Sequence, residues 1–596
     1  MALTPAVLAL TPSPVAARVA EALGAALHGR AGRVPEAEVA FDDTLEHVRT
    51  LFAAGVPVVG VCAAGILIRA VAPLLSDKRA EPPVVAVAED GSAVVPLLGG
   101  HRGANALARR IAEALGVTAA VTTAGDAALG IALDEPPEGW RLAEPEKAGA
   151  VMARLLAGEG AQVRGEAAER AGWLAGLPEG EGVRIACTAG PALGADLRFA
   201  PQVAALGVGA ARGCPPEELA LLVQGVLKEA GIAPEALAAI GTLDLKADEG
   251  AVVELARGFG VPLRLFAAAE LEAEAPRLAN PSEVVFAEVG CHGVSEGAAL
   301  ALAGTEGRLA VTKRKTRNAT CALAVAPTPI TRLAGRPRGK LSVVGIGPGQ
   351  AAWRTPEVSR LVTEAEELVG YGLYIDLLGP LAAGKPRADF PLGGEEDRCR
   401  HALERAGEGR NVALVCSGDA GIYAMAALVF ELLDRRENGV SDAARRVEVE
   451  VSPGISALQA AAARAGAPLG HDFCAVSLSD LLTPREDILR RLRAAAEGDF
   501  VMALYNPVSR TRRTLLNDAR EILLRHRPAE TPVLLASNLG RPEERLTYRR
   551  LADLKVDEVD MLTVVLIGSS QSRIVERGEG PRLYTPRGYA KKMVTA

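Results

Sequence analysis

Short runs of β-branched residues alternate with Ala-, Leu- and Glu-rich stretches along this chain, and this alternation constrains its fold more than any other feature. Clear runs occupy residues 84–87, 412–415, 447–451 and 564–567. A strand, a helix and a parallel strand form the βαβ unit, so the pattern predicts α/β domains built on parallel sheets. Aromatic residues make up only 3% of the chain, so Ala, Val and Leu must fill the cores.

The length requires several domains. A single hydrophobic core stops growing near ~250–300 residues, whereas this chain has 596. Two stretches rich in Pro, Gly and charged residues begin at Pro136 and Pro327 and predict breaks between domains. The predicted units are a first α/β domain at 1–135, a central connecting region at 136–200, a second α/β domain at 201–326, a linker at 327–340, and two lobes at 341–454 and 455–596.

Charge, cysteine spacing and hydropathy argue against several classes of protein. The net charge is −7 and no five like charges occur in a row, so we expect no nucleic-acid partner. The eight cysteines form no CxxC pair, so we expect no metal site and a reducing, cytoplasmic location. Residues 51–68 lack charge and approach the length of a membrane span. The Pro and Gly residues within this segment favour a buried strand that runs into a helix instead.

Four small-residue turns follow predicted strands in the C-terminal block. They read GIGPG at 345–349, CSGDAGIY at 416–423, SPGISA at 452–457 and LYNP at 504–507. Turns of this kind, at the carboxyl ends of parallel strands, let backbone amides approach a ligand closely. Each turn alone has an ordinary explanation, and Asp419 in particular is also a natural helix N-cap. The four together, in this order, are far more specific.

These four strings resemble those of the tetrapyrrole methylase family, the class III S-adenosylmethionine-dependent methyltransferases. They look closest to the branch that methylates C17 of precorrin-3B, or cobalt-precorrin-3, and contracts the macrocycle. The resemblance implies a two-lobed module with S-adenosylmethionine in the cleft between the lobes, and a homodimer formed through this half. By position, it assigns eight residues to the donor pocket: Pro348, Ser417, Gly418, Asp419, Ile422, Ser456, Ala457 and Tyr505. The sequence identifies no general base for ring contraction: Asp376 and His471 are candidates, but residues in such positions are more often structural.

The N-terminal half places polar residues in strand-end loops, where catalytic groups are often found. The string GGHRGAN at 99–105 sets His101 and Asn105 one helical turn apart, and histidine exchanges protons near neutral pH. A packed or capping histidine is the alternative. Further along, Lys246 closes a Thr-x-Asp-x-Lys string, and Glu296 closes a Gly-x-Ser-Glu string. Such lysines and carboxylates at strand ends predict a site for a ligand that carries many carboxylates.

These strings, with the APLL…DK string that contains Lys78, resemble the cobalt-precorrin-5A hydrolase family over about residues 1–326. The resemblance implies hydrolase-like α/β modules that open a lactone and release a two-carbon unit as acetaldehyde. The catalytic candidates are His101, Lys78, Asn105, Lys246 and Glu296. One departure stands beside the best candidate, because the family commonly has GGAN after the histidine where this chain has Arg102-Gly103-Ala104-Asn105.

The sequence therefore predicts a bifunctional enzyme of corrin-ring assembly that acts on a tetrapyrrole, without nucleic acid or membrane as a partner. Two alternatives stay open. In the first, the N-terminal half is a non-catalytic carrier of tetrapyrroles. In the second, the methylase half modifies RNA. A metal-free ring and a cobalt-containing ring both fit the sequence, since cobalt would arrive inside the substrate.

Overall fold

The computed structural model describes residues 3–75, 81–191, 194–509 and 512–589. Over these ranges the chain forms successive α/β units, which confirms the predicted mixed, multidomain architecture. Residues 51–68 contain a fully buried strand, Val58–Val61, that leads into a helix beginning at Ala64, as predicted. Within the described ranges, every helix is too short or too polar to cross a membrane.

The first unit is a six-stranded sheet with helices on both faces. Its strand order is β3-β2-β1-β4-β5-β6, parallel throughout except for the last strand. Its strands are β1 Ala6–Ala9, β2 Leu27–Arg30, β3 Val39–Phe41, β4 Val58–Val61, β5 Val84–Val87 and β6 Val94–Leu98. Its helices are α1 Pro14–Leu23, α2 Thr44–Ala53, α3 Ala64–Val71, α4 Ala104–Leu115 and α5 Ala124–Leu129.

The stretch expected to be a connecting region holds a sheet of its own, in the order β7-β10-β9-β8. Its core is built around Trp140, Leu174 and Phe199. The strands have three to five residues, too few to show a clear period of two, so the sequence pattern did not reveal them. They are β7 Trp140–Leu142, β8 Ala161–Arg164, β9 Val183–Cys187 and β10 Leu197–Pro201, with helix α6 at Ala148–Leu156.

The third unit is a mixed sheet in the order β14-β15-β11-β12-β13-β16, with a parallel centre formed by β11, β12 and β13. Its strands are β11 Ala204–Ala210, β12 Leu237–Leu243, β13 Leu263–Phe266, β14 Arg308–Lys315, β15 Ala319–Val325 and β16 Arg336–Pro337. Its helices are α7 Pro216–Ala230, α8 Gly250–Phe259, α9 Ala268–Glu272, α10 Glu283–Val289 and α11 Val294–Ala303.

The C-terminal half has two lobes. The first is an all-parallel sheet in the order β19-β18-β20-β17-β21. Its strands are β17 Lys340–Gly345, β18 Glu367–Tyr371, β19 Arg387–Phe390, β20 Asn411–Cys416 and β21 Glu448–Ser452. Its helices are α12 Pro356–Glu364, α13 Gly372–Asp376, α14 Glu395–Gly407, α15 Met425–Asp434 and α16 Asp442–Arg445.

The second lobe has a mainly antiparallel sheet in the order β23-β24-β27-β25-β26 and a small sheet in the order β22-β29-β28. Helix α17 Ala457–Ala465 enters this lobe, and α18 Arg485–Glu497 and α19 Leu515–Leu524 cover its main sheet. The strands are β22 Gly466–Ala467, β23 Phe473–Ser477, β24 Val501–Tyr505, β25 Pro532–Ser537, β26 Arg545–Arg550, β27 Thr563–Ile567, β28 Arg573–Arg577 and β29 Gly580–Tyr584.

The stretch at 327–340, expected to be a linker, is held against both halves of the chain. Its short strand β16 pairs with β13 of the third unit. The Arg264 guanidinium donates to the carbonyls of Ala334 (3.0 Å) and Leu333 (3.3 Å). On the other side, Arg336 donates to the carbonyl of Gly407 in the methylase half (3.1 Å). The segment therefore connects the two halves through fixed contacts.

The first domain also packs directly on the first methylase lobe. Leu51 and Phe52 of α2 belong to the same buried apolar cluster as Val358 and Leu361 of α12 and Leu381 in the turn that follows α13. Burial of apolar side chains on both sides of a domain boundary is the main source of stability for such contacts. The relative position of the two domains is thus set by a shared core.

Candidate functional site

One cleft lies between the two methylase lobes, and all eight residues predicted to bind the methyl donor line it. It is bounded by the turns after β17 and β20, the start of α17, and the ends of β24, β25 and β27. The predicted lining residues are Pro348, Ser417, Gly418, Asp419, Ile422, Ser456, Ala457 and Tyr505. Lining residues that sequence analysis missed include Tyr374, Tyr423, Asn506, Asn538, Arg541 and Thr563.

Three of the turns meet because their strands are neighbours in one sheet. The register sets Gly345 opposite Cys416 and Val344 opposite Ser452, so β17, β20 and β21 end side by side. The amides and carbonyls of Gly347 and Gly418 then pair reciprocally at 3.1 and 2.9 Å.

Glycine is required at this junction because backbone meets backbone there. A Cβ atom on Gly454 would lie 2.1 Å from the carbonyl oxygen of Gly418 and 2.5 Å from that of Gly345. Real Cβ atoms essentially never approach another heavy atom within 3.0 Å. The glycines therefore let three turns close into one wall of the cleft.

Asp419 ties two of these turns together. One carboxylate oxygen accepts from the amide of Gly421 at 2.8 Å, and the other accepts from the amide of Gly454 at 3.0 Å. The helix that follows has Ala424 at its N-cap, so the alternative role of Asp419 as a helix N-cap is wrong. The carboxylate holds the shape of the cleft wall.

Tyr505 joins the second lobe to the start of α17. Its hydroxyl accepts from the amide of Leu458 at 2.9 Å and hydrogen-bonds the hydroxyl of Ser456. Burial raises the pKa of Tyr505, so the phenol stays neutral. Because α17 begins at Ala457, this phenol satisfies one of the backbone amides in the first turn that have no partner within the helix. Tyr505 therefore positions Ser456 and Ala457 at the cleft.

The polar and aromatic groups of this cleft fit a nucleoside that carries an amino-acid chain. Hydroxyls, backbone amides, a carboxylate and aromatic rings surround a wall of small residues. At Gly418 a Cβ would find nothing nearer than 3.8 Å, so the space that this glycine leaves belongs to the cleft. Within the described residues, no three His, Cys, Asp or Glu side chains are grouped as metal ligands. The two candidate bases lie outside the lining: Asp376 is paired with Arg387 at 2.8 Å, and His471 is 60% exposed.

A second cavity lies between the first domain and helix α6 of the central unit. Asn105 lines it, is 4% exposed, and donates to the hydroxyl of Thr123 at 3.1 Å. His101 lies in a single helical turn, Gly100–Arg102, directly before α4, but its side chain is outside the described part of the structure. Lys78 lies outside the described residues altogether.

The remaining two hydrolase candidates do not line this cavity. Lys246 lies in the third unit, at the turn after β12. Glu296, on α11, is 1% exposed and accepts four hydrogen bonds of 2.8 to 2.9 Å, from the amides of Ala279, Asn280 and Lys313 and from the Asn280 side chain. Burial opposes ionisation, but these donors outweigh it and hold the pKa of Glu296 below its usual value. The structure thus shows Glu296 linking the 279–280 loop to β14, and among the described hydrolase candidates only Asn105 lines the cavity.

The two lobes and the cleft between them define a tetrapyrrole methylase, and sequence comparison agrees. The family model for Tetrapyrrole (Corrin/Porphyrin) Methylases matches residues 340–555. Models for Cobalamin synthesis G N-terminal and Cobalamin synthesis G C-terminus match residues 46–126 and 204–324. The chain therefore belongs to the tetrapyrrole methylase family and is a fusion of that module with cobalamin-synthesis G domains.

Several individual proteins are similar to the methylase half. A Precorrin-3B C(17)-methyltransferase from Sinorhizobium sp is 47% identical over 253 residues, which is 42% of this chain and 98% of that protein. A Probable cobalt-factor III C(17)-methyltransferase from Salmonella typhimurium is 42% identical over 42% of this chain and 99% of that protein. The crystal structure of the methyltransferase CobJ is 42% identical, covers 42% of this chain and 100% of its own, and superposes with a TM-score of 0.39.

Proposed function

We propose that this chain is a bifunctional enzyme of cobalamin biosynthesis. Its C-terminal half methylates C17 of precorrin-3B or cobalt-precorrin-3 with contraction of the ring, and its N-terminal half opens the lactone of cobalt-precorrin-5A and releases acetaldehyde. The observation that carries the first activity is the convergence of all eight predicted donor-pocket residues on one cleft, in a chain of which 253 residues are 47% identical to a precorrin-3B C17-methyltransferase.

Tetrapyrrole methylases use S-adenosylmethionine, and when bound it supplies an electrophilic methyl group with a neutral leaving group. The contribution of the chain is positioning. Pro348, the 417–419 turn and the start of α17 form the walls that would hold the donor, and Asp419 and Tyr505 keep those walls in place. Alignment of two reactants and exclusion of water lower the barrier without a strong acid or base.

The rim of the cleft fits a flat, polycarboxylate macrocycle. Ile422, Met561 and Leu562 line the cleft and keep 40%, 52% and 47% of their surface exposed. Arg541 also lines it and donates to the carbonyl of Pro348 at 3.2 Å. Apolar side chains beside a guanidinium provide a face for the ring and a partner for a peripheral carboxylate. We propose this rim as the tetrapyrrole-binding face.

Methyl transfer tests the proposal directly. The purified chain is incubated with S-adenosylmethionine and either precorrin-3B or cobalt-precorrin-3, and the products are analysed by mass spectrometry. We expect one added methyl group and a contracted ring with at least one substrate. Asp419→Asn should slow transfer at least tenfold, because the amide cannot accept from both backbone amides. Asp472→Asn is the matched control and should leave the rate unchanged, because the Asp472 side chain is 79% exposed and lies outside the cleft lining. No transfer to either substrate would refute the function.

Release of acetaldehyde separates the hydrolase from the carrier alternative for the N-terminal half. A hydrolase converts cobalt-precorrin-5A and liberates acetaldehyde, whereas a carrier binds the tetrapyrrole and releases nothing. The same preparation incubated with S-adenosylmethionine and ribosomal RNA tests the remaining alternative, for which the net charge of −7 is unfavourable.

We also propose a homodimer formed through the methylase half, in the cytosol, without nucleic acid or membrane as a partner. Leu481 and Leu482, in the loop before α18, are 81% and 93% exposed and favour a protein contact there. All eight cysteines are free thiols, as is usual in a reducing compartment. Light scattering on the full chain, with Leu482→Lys as the disrupting variant, tests the dimer.

A further inference from the structure

The cavity beside Asn105 combines apolar walls with a small group of polar side chains. Its volume is about 330 Å³, within the range of small-molecule sites. Ile131, Leu133 and Met152 supply apolar surface, and Asn105, Thr123, Asp134 and Glu135 supply the polar groups. Residues 131–156, which form one side of it, lie outside all the matched family regions.

Helix α4 begins at this cavity. Gly99 and Gly103, at φ values of +73° and +94°, bracket the turn before it, and its N-terminus has no side-chain cap. Asn105 is the second residue of this twelve-residue helix and lines the cavity. The amino end of a helix carries partial positive charge and stabilises nearby negative charge. The end of α4 and the Asn105 amide are therefore suited to an oxygen that becomes negative during a reaction.

Two carboxylates line the same cavity. Asp134 is exposed, whereas Glu135 is half-buried. Because Glu135 is the less exposed of the two, a water molecule bound to it is better shielded from bulk solvent and better held for attack on a ligand in the cavity. The sequence analysis named Asn105 among its catalytic candidates but gave Glu135 no catalytic role.

We propose that Glu135 is the general base of the hydrolase half and that the cavity receives the lactone edge of the macrocycle. This assignment rests on the proposed hydrolase function. The Glu135 carboxylate takes a proton from water, and the water oxygen bonds to the lactone carbonyl carbon. The carbonyl oxygen becomes negative beside Asn105 and the start of α4. The carbon–oxygen bond of the ester then breaks, and the departing alkoxide takes the proton back from Glu135.

The products of this first step are a free acid and an alcohol on the two-carbon unit. In the second step Glu135 removes the proton of that alcohol, and its carbon–oxygen bond becomes the carbonyl of acetaldehyde. The carbon–carbon bond to the ring breaks, and its electron pair passes into the conjugated macrocycle, which takes up a proton. Ile131, Leu133 and Met152 provide apolar surface for the methyl group of the leaving unit. Neither step needs an oxidant or a reductant.

The test compares Glu135→Gln with Glu138→Gln, a neighbouring carboxylate that is exposed and outside the cavity lining. Acetaldehyde release from cobalt-precorrin-5A is measured between pH 5 and 9, with binding of the tetrapyrrole followed by absorbance. For Glu135→Gln we expect at least a tenfold loss of rate, loss of the acidic limb of the pH profile, and binding within threefold of the unsubstituted chain. Glu138→Gln should behave like the unsubstituted chain.

Methyl transfer by the C-terminal half of the same molecule reports that each variant has folded. A further variant, Asn105→Asp, places a negative charge at the start of α4 and should slow acetaldehyde release in the same assay. A loss below tenfold in Glu135→Gln, or an unchanged acidic limb, overturns the assignment while leaving the hydrolase function intact. No acetaldehyde from the unsubstituted chain refutes the hydrolase function, and the assignment with it.

Discussion

Gly454→Ala is the sharpest test of how the donor cleft is built. The added Cβ would lie 2.1 Å from the carbonyl oxygen of Gly418 and 2.5 Å from that of Gly345. Both obstacles are backbone atoms, so no side-chain rotation relieves the contact. Reaching the shortest distance that real Cβ atoms show, 3.0 Å, requires the 454 turn to move by about 0.9 Å from that oxygen.

The cost follows from two losses. Overpacking of this size costs about 1–3 kcal/mol, and the move also lengthens the 3.0 Å hydrogen bond between the Gly454 amide and Asp419. A hydrogen bond to a charged group contributes about 1.5–3 kcal/mol. Together these losses destabilise the donor-binding conformation of the cleft by about 3 kcal/mol. S-adenosylmethionine should therefore bind about 100-fold more weakly, since 1.4 kcal/mol is a factor of ten.

Isothermal titration of the full chain with S-adenosylmethionine measures the effect. Gly578→Ala is the matched control in the same half, because a Cβ there meets nothing within 4 Å. Circular dichroism confirms that both variants keep their secondary structure. Donor affinity in Gly454→Ala within threefold of the unsubstituted chain would refute the argument that glycine is needed where the three turns meet.

Two further predictions concern stability and assembly. His28 and His47 form a buried pair 2.9 Å apart, and burial, with the charge of His47 in the case of His28, lowers their pKa values to about 3 and about 4. Both histidines stay neutral in the folded protein, so their contribution to the free energy of unfolding is full above pH 6.5 and is lost as the pH falls toward those values. At pH 5 the loss is about 4 kcal/mol for the pair. Hydrogen exchange in β2 at pH 8 and pH 5 measures this loss, which should be absent in His28→Gln/His47→Gln. Because α2 shares a buried cluster with α12, a chain cut by a protease site inserted at 331–333 should still elute from gel filtration as one species; separation of the halves at micromolar concentration would contradict the shared core.

Much of the donor cleft could be predicted from sequence because its turns are local structures. Gly347 and Gly418 adopt φ values of +78° and +70°, which favour glycine, and each lies two residues after the end of a strand. A string such as GIGPG therefore records a backbone conformation as well as an order of residues. The alternation of runs predicted the parallel sheet, and parallel strands end at the same edge, so the turns after β17, β20 and β21 had to be near one another.

Other features were out of reach because they depend on which distant segments pack together. Arg541 reaches Pro348 across 193 positions of sequence, and nothing in the residues around Arg541 indicates that contact. Glu296 closes the Gly-x-Ser-Glu string and was therefore a catalytic candidate, yet its carboxylate accepts hydrogen bonds from the 279–280 loop and from strand β14. The short strands of the central region were hidden for a similar reason, since sheet pairing rather than local pattern stabilises them.

By itself, the sequence determined the α/β class, the order of the turns and the resemblance to two families, because periodicity and glycine positions are properties of neighbouring residues. Tertiary structure alone decided that Glu135 faces the cavity that Asn105 lines, and that Glu296 does not. It also decided that Tyr505 positions the start of α17 through its hydroxyl. Each of these outcomes depends on the burial and approach of segments far apart in the chain, and only the packed fold specifies them.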